Sequence, residues 1–455
     1  MLRIRYILIL FFVFSLFNGL VEAAGEYAFI VRGTVTEIIS QGNASDYKLK
    51  QADGETVLLK LPGTDLEKGQ DVAFFVRLGA QEGGLITYLP IKKLEIPTPF
   101  TDGIARIKVK SGACMMFDKQ GRSVGKQYAE ISSFHEGLSS VKVQQYGDSS
   151  FVDNEGNLVI PSIGDVNWHF DGPYFQNGFA TISSRKESGY IDKNGNFVIS
   201  GKDDGWDPLT PFSEGYAFVK FNFKNRQKNG GIYLIDEKGV ISEKPLTNEH
   251  SVRNPCLPFS NGLAAFKKGN GWGFIDYTGV FVIEPEYSNV CSFSEGYAAV
   301  QTSDGRWGYI NTKGNWVVNA VYEKAYPFSD GMAAVSIEEK GHSMWGYVNT
   351  KGELAIKAIY DKAGLFSGGV APVSFTEEVI KYNSKWGLID KNGKWVMEPR
   401  YSSVYGQPGD LFGITRFSDD LLLVGESVGS SHKYAWIDRN GKENLFFLVP
   451  PYTLW

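Results

Sequence analysis

A short pattern recurs along most of this chain, and it limits the fold more than any other feature of the sequence. One half of the pattern is Phe, a small or polar residue, an acidic or amide residue, and Gly. It occurs clearly at Phe134, Phe175, Phe212, Phe259, Phe293 and Phe328, and more weakly at Phe100 and Phe366. The other half is an apolar strand that ends in Asp-x-x-Gly or Asn-x-x-Gly. Nine copies of this second half are found, at 118–121, 153–156, 192–195, 236–239, 276–279, 311–314, 349–352, 390–393 and 438–441. A unit repeated this often predicts an array of similar small units.

Each part of the pattern has a conformational reason. Asp-x-x-Gly is typical of a type I turn, in which the Asp side chain accepts backbone N–H groups and Gly takes the fourth position. The apolar runs on either side of the turn at 276–279 therefore predict the two arms of a β-hairpin. Pro285 and Pro399 follow the second arm, where a strand ends or lies at a sheet edge. We expect an all-β fold in which each repeat forms three or four short antiparallel strands.

Four copies carry a Trp-Gly pair shortly before the turn. A hairpin of this size is marginal alone, so the repeats must stack. We expect each Trp to fill the space between repeats and each Gly to admit a close neighbour. The structural repeat residues are Trp272, Gly273, Trp307, Gly308, Trp345, Gly346, Trp386 and Gly387, with Asp276, Asn311, Asn349 and Asp390 in the turns.

Two arrangements of the stacked repeats are open at this point. Insertions of variable length, such as 222–230, and degraded terminal copies favour an open, twisted, solenoid-like array of β-hairpins. The alternative is a closed β-propeller, in which each repeat forms one blade.

The series Phe-Ser-Glu-Gly, Trp-Gly-x-Ile-Asp and Gly-x-x-Val-Ile-x-Pro-x-Tyr resembles the WG (KWG) β-repeat family over residues 99–442. The first copy, at 114–118, lacks Trp-Gly, and the last replaces it by Tyr434 and Ala435. The resemblance implies an exported protein with a binding or scaffolding role, and it carries over no catalytic residues.

The two ends of the chain differ from the repeats. Residues 1–23 combine Arg3 and Arg5, an apolar run and a small-residue site, which predicts a cleaved signal peptide and a periplasmic or extracellular location. The apolar run is too short for a stable membrane span. Residues 24–97 contain alternating strand patterns that predict a small β-barrel similar to the OB fold. Repeats are expected over 98–442 in about nine copies, and 443–455 form an apolar tail that either docks on the last repeat or binds a partner.

Composition and motifs limit the chemistry. A net charge of −5, from 46 basic and 51 acidic residues, argues against a nucleic-acid partner. No nucleophile, acid–base pair or phosphate loop is found, and the five histidines have no spacing typical of metal ligands. The sequence therefore predicts no catalytic residues, no metal and no cofactor. Cys256 and Cys291 are either bridged or buried as free thiols, and both readings remain open.

Aromatic residues of the second hairpin arm are the remaining binding candidates. A row of rings at a fixed interval could stack on sugars or hold an extended peptide, although such rows more often belong to the core. These candidates are Trp316, Trp395, Tyr287, Tyr322, Tyr360 and Tyr401. We expect a non-enzymatic binding or scaffold protein for a protein or a cell-envelope glycan. The alternative is a hydrolase with a site between the barrel and the repeat array.

Overall fold

The computed structural model describes residues 28–449 except 42–43, 52–53, 55, 63–67, 69–70, 83–84, 91–95, 109–112, 165, 167–171, 185–186, 222–229, 248–254, 340, 377–383, 407–414 and 429–430. The predicted signal peptide and the last six residues of the predicted tail lie outside the described residues. The described part is made of strands and turns, and it contains no helix that is long and apolar enough to cross a membrane.

Five strands near the N-terminus form a closed barrel. They are β1 (Ala28–Gln41), β2 (Ala44–Lys50), β3 (Thr56–Pro62), β4 (Asp71–Glu82) and β5 (Leu85–Pro90). The strand order is β1-β2-β3-β5-β4, and β4 pairs with β1 to close the barrel. Only the pairing of β3 with β5 is parallel among the described strands. Tyr47, Leu49, Val57 and Leu59 alternate along β2 and β3 and are buried, as expected for the inner face of a small barrel. The prediction of a small β-barrel before the repeats is confirmed.

Nine further sheets of three or four strands follow the barrel, and we call them blades 1 to 9. Blades 1 to 3 contain β6 (Ile104–Lys108), β7 (Cys114–Asp118) and β8 (Ser123–Tyr128); β9 (Glu130–Ile131), β10 (Leu138–Lys142), β11 (Ser149–Asp153) and β12 (Leu158–Ile160); β13 (Phe175–Gln176), β14 (Phe179–Ser183), β15 (Ser188–Ile191) and β16 (Phe197–Ser200). Blades 4 to 6 contain β17 (Trp206–Pro208), β18 (Tyr216–Phe221) and β19 (Gly231–Asp236); β20 (Ala264–Lys268), β21 (Gly271–Ile275) and β22 (Phe281–Tyr287); β23 (Asn289–Val290), β24 (Tyr297–Gln301), β25 (Trp307–Asn311) and β26 (Trp316–Tyr322). Blades 7 to 9 contain β27 (Lys324–Ala325), β28 (Met332–Glu339), β29 (His342–Asn349) and β30 (Leu354–Tyr360); β31 (Lys362–Ala363), β32 (Val370–Phe375), β33 (Lys385–Asp390) and β34 (Trp395–Tyr401); β35 (Ser403–Tyr405), β36 (Leu422–Val428), β37 (Ser431–Ile437) and β38 (Glu443–Val449).

All nine Asp-x-x-Gly or Asn-x-x-Gly segments form the predicted hairpin turn. In each, the N–H of the Gly donates to the carbonyl of the first residue, as in Gly279 to Asp276 at 3.0 Å. The Asp276 carboxylate also accepts the N–H groups of residues 278 and 280. The turn chemistry that the sequence indicated is therefore present in every blade.

The blades close into a propeller. Each neighbouring pair of blades shares its own apolar core, and a ninth core joins blade 9 to blade 1. In that closing core the Phe117 ring lies 5.5 Å from Trp436 and 5.4 Å from Phe447, and Phe100 lies 5.3 Å from Trp436. The open array favoured by the sequence is thus corrected to the closed alternative. The first and last repeats, which depart from the pattern, therefore do not cap free ends. Blade 1 and blade 9 pack against each other in the closing core.

Residues 443–449 were expected in the apolar tail, but they form β38, the last strand of blade 9. Leu445, Phe447 and Val449 alternate along this strand and are buried in the closing core. The apolar residues of this segment therefore complete the ring, and blade 9 extends beyond residue 442.

The Trp-Gly pair sits at a register shift between the second-to-last and last strands of a blade. Trp307 pairs with Tyr322 and Tyr309 with Val318, so four residues of β26 oppose two of β25. A Cβ atom on Gly308 would lie 2.5 Å from the Val318 carbonyl oxygen. Gly is required because the bulged strand crosses directly over this position. The neighbouring Trp307, Trp345 and Trp386 side chains are buried.

Candidate functional site

The Phe that starts each repeat marks a turn, which we call the entry turn, and this turn leads into the long strand of its blade, as Phe293 to Gly296 leads into β24. One such Phe is buried in every blade: Phe100, Phe134, Phe175, Phe212, Phe259, Phe293, Phe328, Phe366 and Phe417. The sequence analysis missed Phe417, because Asp420 stands where the other copies have Gly. Asp420 nevertheless has the positive φ of that position, 65°.

The Ser of the entry turn bonds to the following blade. Its hydroxyl donates to the carbonyl of the next buried Phe, at 2.7 Å from Ser294 to Phe328 and 2.7 Å from Ser329 to Phe366. The same bond joins the last blade to the first, from Ser418 to Phe100 at 2.6 Å. The Ser of this motif is thus an inter-blade joint that recurs across the closure.

The acidic or amide residue of the entry turn forms a second joint. Glu295 has a φ of 54° and its carboxylate accepts the N–H groups of Asp330 and Gly331 in the next blade at 2.7 and 2.8 Å. Asp330 in turn accepts the Gly369 N–H at 2.6 Å and the Lys391 ammonium at 2.8 Å. Burial alone would raise the pKa of the Asp330 carboxyl, but these hydrogen bonds outweigh it and lower that pKa. The joint at Asp330 therefore favours the ionised carboxylate.

Blade 8 departs from this pattern. Its entry turn has Gly368 in place of the acidic residue, and the Arg439 side chain from blade 9 occupies the freed space. The Arg439 guanidinium donates to the Ser367 carbonyl at 3.0 Å and to the Ser367 hydroxyl at 3.1 Å. At a joint such as that of Glu295, a carboxylate of the preceding blade accepts hydrogen bonds from the following blade. Between blades 8 and 9, a cation of the following blade, Arg439, instead donates hydrogen bonds to the preceding blade.

A second feature of the same blade is Gly364, two residues before the buried Phe366. Tyr326 of blade 7 and Gly364 of blade 8 occupy equivalent positions, because the carbonyl of each accepts a tyrosine hydroxyl of the preceding blade. Tyr309 donates to Tyr326, and Tyr347 donates to Gly364. Tyr326 places its ring 4.7 Å from Trp345. Gly364 has no ring, and the Thr415 carbonyl oxygen lies 2.4 Å from where its Cβ would be.

A cavity of about 190 Å³ lies beside Gly364 in this part of the ring, between Ala363 and Thr415. Its walls come from three consecutive blades, and the edge strand β31 of blade 8 runs between them. The lining residues are Tyr326, Trp345, Lys362, Ala363, Trp386, Val404 and Thr415. This cavity is our candidate site, because it brings two tryptophans, an ammonium and hydroxyls together in one concave space.

The polar groups of the cavity are one ammonium and several hydroxyls. Lys362 is exposed at the cavity, and within the described residues it has no carboxylate partner. Ser374 stands opposite both Lys362 and Trp386 in the sheet register, so the three side chains share one face. The Ser374 hydroxyl is buried without a protein hydrogen-bond partner, and so is that of Ser336, which stands opposite Trp345. The site can thus stack rings and bind polar groups, including an anion.

The predicted row of ligand-facing aromatics is not a continuous exposed face. The four tyrosines of the row are buried, and each packs in a core between blades: Tyr287, Tyr322, Tyr360 and Tyr401. Trp316 is 41% exposed and contacts Tyr287 of the preceding blade edge-on, with ring centroids 6.1 Å apart. Trp395 contacts Tyr360 in the same way at 6.0 Å. These rings therefore join blades, because the end of each last strand packs against the next blade.

The other sequence candidates are also placed by the structure. Cys256 and Cys291 are free and buried in different cores, one facing blade 4 and the other facing blade 7, so they do not bridge. Burial raises the pKa of the Cys291 thiol to about 12. Among the described residues no group of three His, Cys, Asp or Glu side chains is placed to hold a metal. Side chains of β4, the barrel strand beside β38, are outside the described residues, so the hydrolase alternative stays a prediction.

The sequence pattern is found in a known family model. Segments 189–224, 256–272, 272–305, 307–340, 345–375 and 386–406 match the model described as WG containing repeat. Six segments of the chain thus match this repeat model. They run from blade 3 into β35, the first strand of blade 9, and blade 1 lies outside them. No curated protein matches the chain.

Solved structures similar to this chain include several of low sequence identity. The crystal structure of the eukaryotic initiation factor has a TM-score of 0.48 at 11% identity, over 94% of this chain and 100% of that chain. The WD40 β-propeller domain of Doa1 has a TM-score of 0.29 at 14% identity, over 54% of this chain and 89% of that domain. The extracellular domain of a putative hybrid two-component system from B. thetaiotaomicron has a TM-score of 0.27 at 11% identity, over 92% and 73%.

Proposed function

We propose that this protein is an exported, non-enzymatic binding module, and that its blade 8 cavity holds one ring of a cell-envelope glycan. The observation that carries the proposal is the meeting of two WG tryptophans, Trp345 and Trp386, with hydroxyl groups and an ammonium in one small cavity. Aromatic faces bind the C–H face of a sugar ring, and polar groups at the edges bind its hydroxyls.

The chemistry of the lining supports binding. Its seven side chains supply rings, methyl groups, a hydroxyl and an ammonium, and a hydrolase of glycans usually needs a pair of carboxyl groups at its site. Lys362 is the one charged side chain among the described residues of the lining. Backbone and side-chain hydrogen bonds at Gly364 and Leu365 hold the strand that follows Ala363, which suits a preformed site.

Export and a role for the barrel complete the proposal. The N-terminal pattern of charged, apolar and small residues supports export. The barrel order β1-β2-β3-β5-β4, closed by β1 and β4, supports an OB-like fold. Strand β4 lies beside β38 of the closing blade. We propose that the barrel covers the seam between blades 9 and 1, where the ring has no covalent link.

Binding of soluble envelope-glycan fragments to the purified protein tests this function. Trp386→Phe shrinks the platform of the cavity, and Trp307→Phe makes the same change at the equivalent WG position of blade 6, which does not line the cavity. We expect the first variant to weaken binding and the second to leave it unchanged, with both variants equally folded by circular dichroism. Equal binding by the two variants, or no saturable binding by the wild-type protein, would contradict the proposal.

A further inference from the structure

We infer that the blade 8 cavity selects a sugar ring that carries a carboxylate. This inference rests on the proposed function, because it names the ligand class of the same cavity. Three observations carry it: the size of the cavity, its unpaired charge, and the unpaired hydroxyl of Ser374, which stands between the lining residues Lys362 and Trp386 in the sheet register.

The volume of the cavity fits one substituted six-membered ring. An engineered apolar cavity of about 150 Å³ takes up benzene, and pockets for drug-sized molecules begin at about 300 Å³. The blade 8 cavity, at about 190 Å³, lies between these values. A single hexose-sized unit is therefore favoured over a disaccharide or an extended peptide.

The charge of the cavity favours an anion. Lys362 provides the ammonium, and among the described residues no carboxylate lines the cavity and no acidic side chain pairs with Lys362. An ammonium on the wall of a partly enclosed site binds a carboxylate through a charge-assisted hydrogen bond. Lys324 of blade 7 is the residue equivalent to Lys362. It stands opposite Ser336 on the edge strand, as Lys362 stands opposite Ser374, and it is not among the residues that line the cavity.

The remaining polar groups favour a sugar over an aromatic acid. The Ser374 hydroxyl is 1% exposed, has no protein partner and lies between Lys362 and Trp386 on one face of the sheet. A buried hydroxyl without a partner gains most from a ligand that supplies one. The Thr415 side chain on the opposite wall adds another hydroxyl. A ring with hydroxyls along its edge and C–H groups on its face satisfies both kinds of lining.

The test compares three small ligands by calorimetry on the purified protein: glucuronate, glucose and benzoate. Glucuronate has the ring, the hydroxyls and the carboxylate, and each of the others lacks one of these features. We expect glucuronate to bind at least about tenfold more tightly than either. An oligosaccharide that ends in glucuronate distinguishes a free sugar acid from a chain end as the source, and we expect it to bind at least as well.

Variants of the lysine complete the test. Lys362→Met should weaken glucuronate binding about 10- to 100-fold and weaken glucose binding by a much smaller factor. Lys362→Arg should restore most of the affinity, and Lys324→Met, the matched control, should have no effect. Glucuronate binding should also weaken as salt is raised, since it depends on one exposed charge.

Several results would overturn the inference. If Trp386→Phe weakens binding of glycan fragments and Lys362→Met does not, the proposed function stands and the carboxylate selection is wrong. If benzoate binds as well as glucuronate, the ligand is not a sugar. If the protein binds none of these ligands and no glycan fragment, both the inference and the proposed function fail.

Discussion

Replacing the WG glycine with alanine should destabilise the propeller for a steric reason that can be worked out at Gly308. A Cβ atom there would lie 2.5 Å from the Val318 carbonyl oxygen and 2.7 Å from the Ala320 nitrogen. Ordinary carbon contacts lie at about 3.5–4.0 Å, so the bulged strand has to move by about 1 Å. Both obstacles are backbone atoms and cannot rotate away. We expect Gly308→Ala to lower the free energy of unfolding by about 1–3 kcal/mol, the usual cost of overpacking.

A matched glycine separates this steric cost from the general effect of alanine. A Cβ on Gly147 would meet its nearest atom at 3.5 Å, an ordinary contact. Alanine at such a site stabilises a protein by up to about 0.4–1 kcal/mol, because it restricts the unfolded chain. Urea unfolding followed by tryptophan fluorescence gives the midpoints of both variants. Equal midpoints for Gly308→Ala and Gly147→Ala would refute the close-approach account of the WG motif.

Three further predictions concern the joints between blades. The pKa of the Asp330 carboxyl is lowered in the folded protein, so the ionised carboxylate stabilises the fold fully above about pH 3.8. This stabilisation is lost as the pH falls through the folded-state pKa. Asp330→Asn should therefore reduce the fall in melting temperature between pH 5 and pH 3. Tyr347→Phe leaves the buried Gly364 carbonyl without its 2.9 Å bond and should cost about 1–3 kcal/mol in urea unfolding. Ser418→Ala removes the hydrogen bond to the Phe100 carbonyl and should lower the free energy of unfolding by about 1 kcal/mol. In an open array this bond would not exist, and the substitution would not change stability.

The hairpin part of the fold could be read from the sequence because its determinants are local. An Asp or Asn three residues before Gly fixes a turn through bonds within five residues, and all nine such turns are present. The small barrel was likewise readable from alternating strand patterns. Closure of the ring could not be read in this way, because it depends on contacts such as Phe117 with Trp436, more than 300 residues apart.

The entry-turn motif shows where a local reading stopped short. The sequence indicates a turn at Ser294 and Glu295, but both side chains bond to the next blade. The same non-local use explains the tyrosines of the last strand, which the sequence could not assign to core or surface and which the structure buries between blades.

The candidate cavity left only a faint signal in the sequence. Gly368 replaces an acidic or amide residue of the repeat, and aligning the copies position by position would have marked the entry turn of blade 8 as unusual. That Lys362 and Trp386 meet Thr415 follows from stacking blade 8 on blade 9, which no single repeat contains.

Zero-length carbodiimide crosslinking tests the closed ring most directly. It joins Lys and carboxylate groups that are already in contact. The Lys193 ammonium lies 3.2 Å from Glu136, and that of Lys391 lies 2.8 Å from Asp330. Both pairs join neighbouring blades, so an open array would also give them. Lys119 lies 3.8 Å from Asp419 only because blade 1 meets blade 9. Mass spectrometry of monomeric protein should find all three links. Finding the first two without the link from Lys119 to Asp419 would contradict the closed propeller.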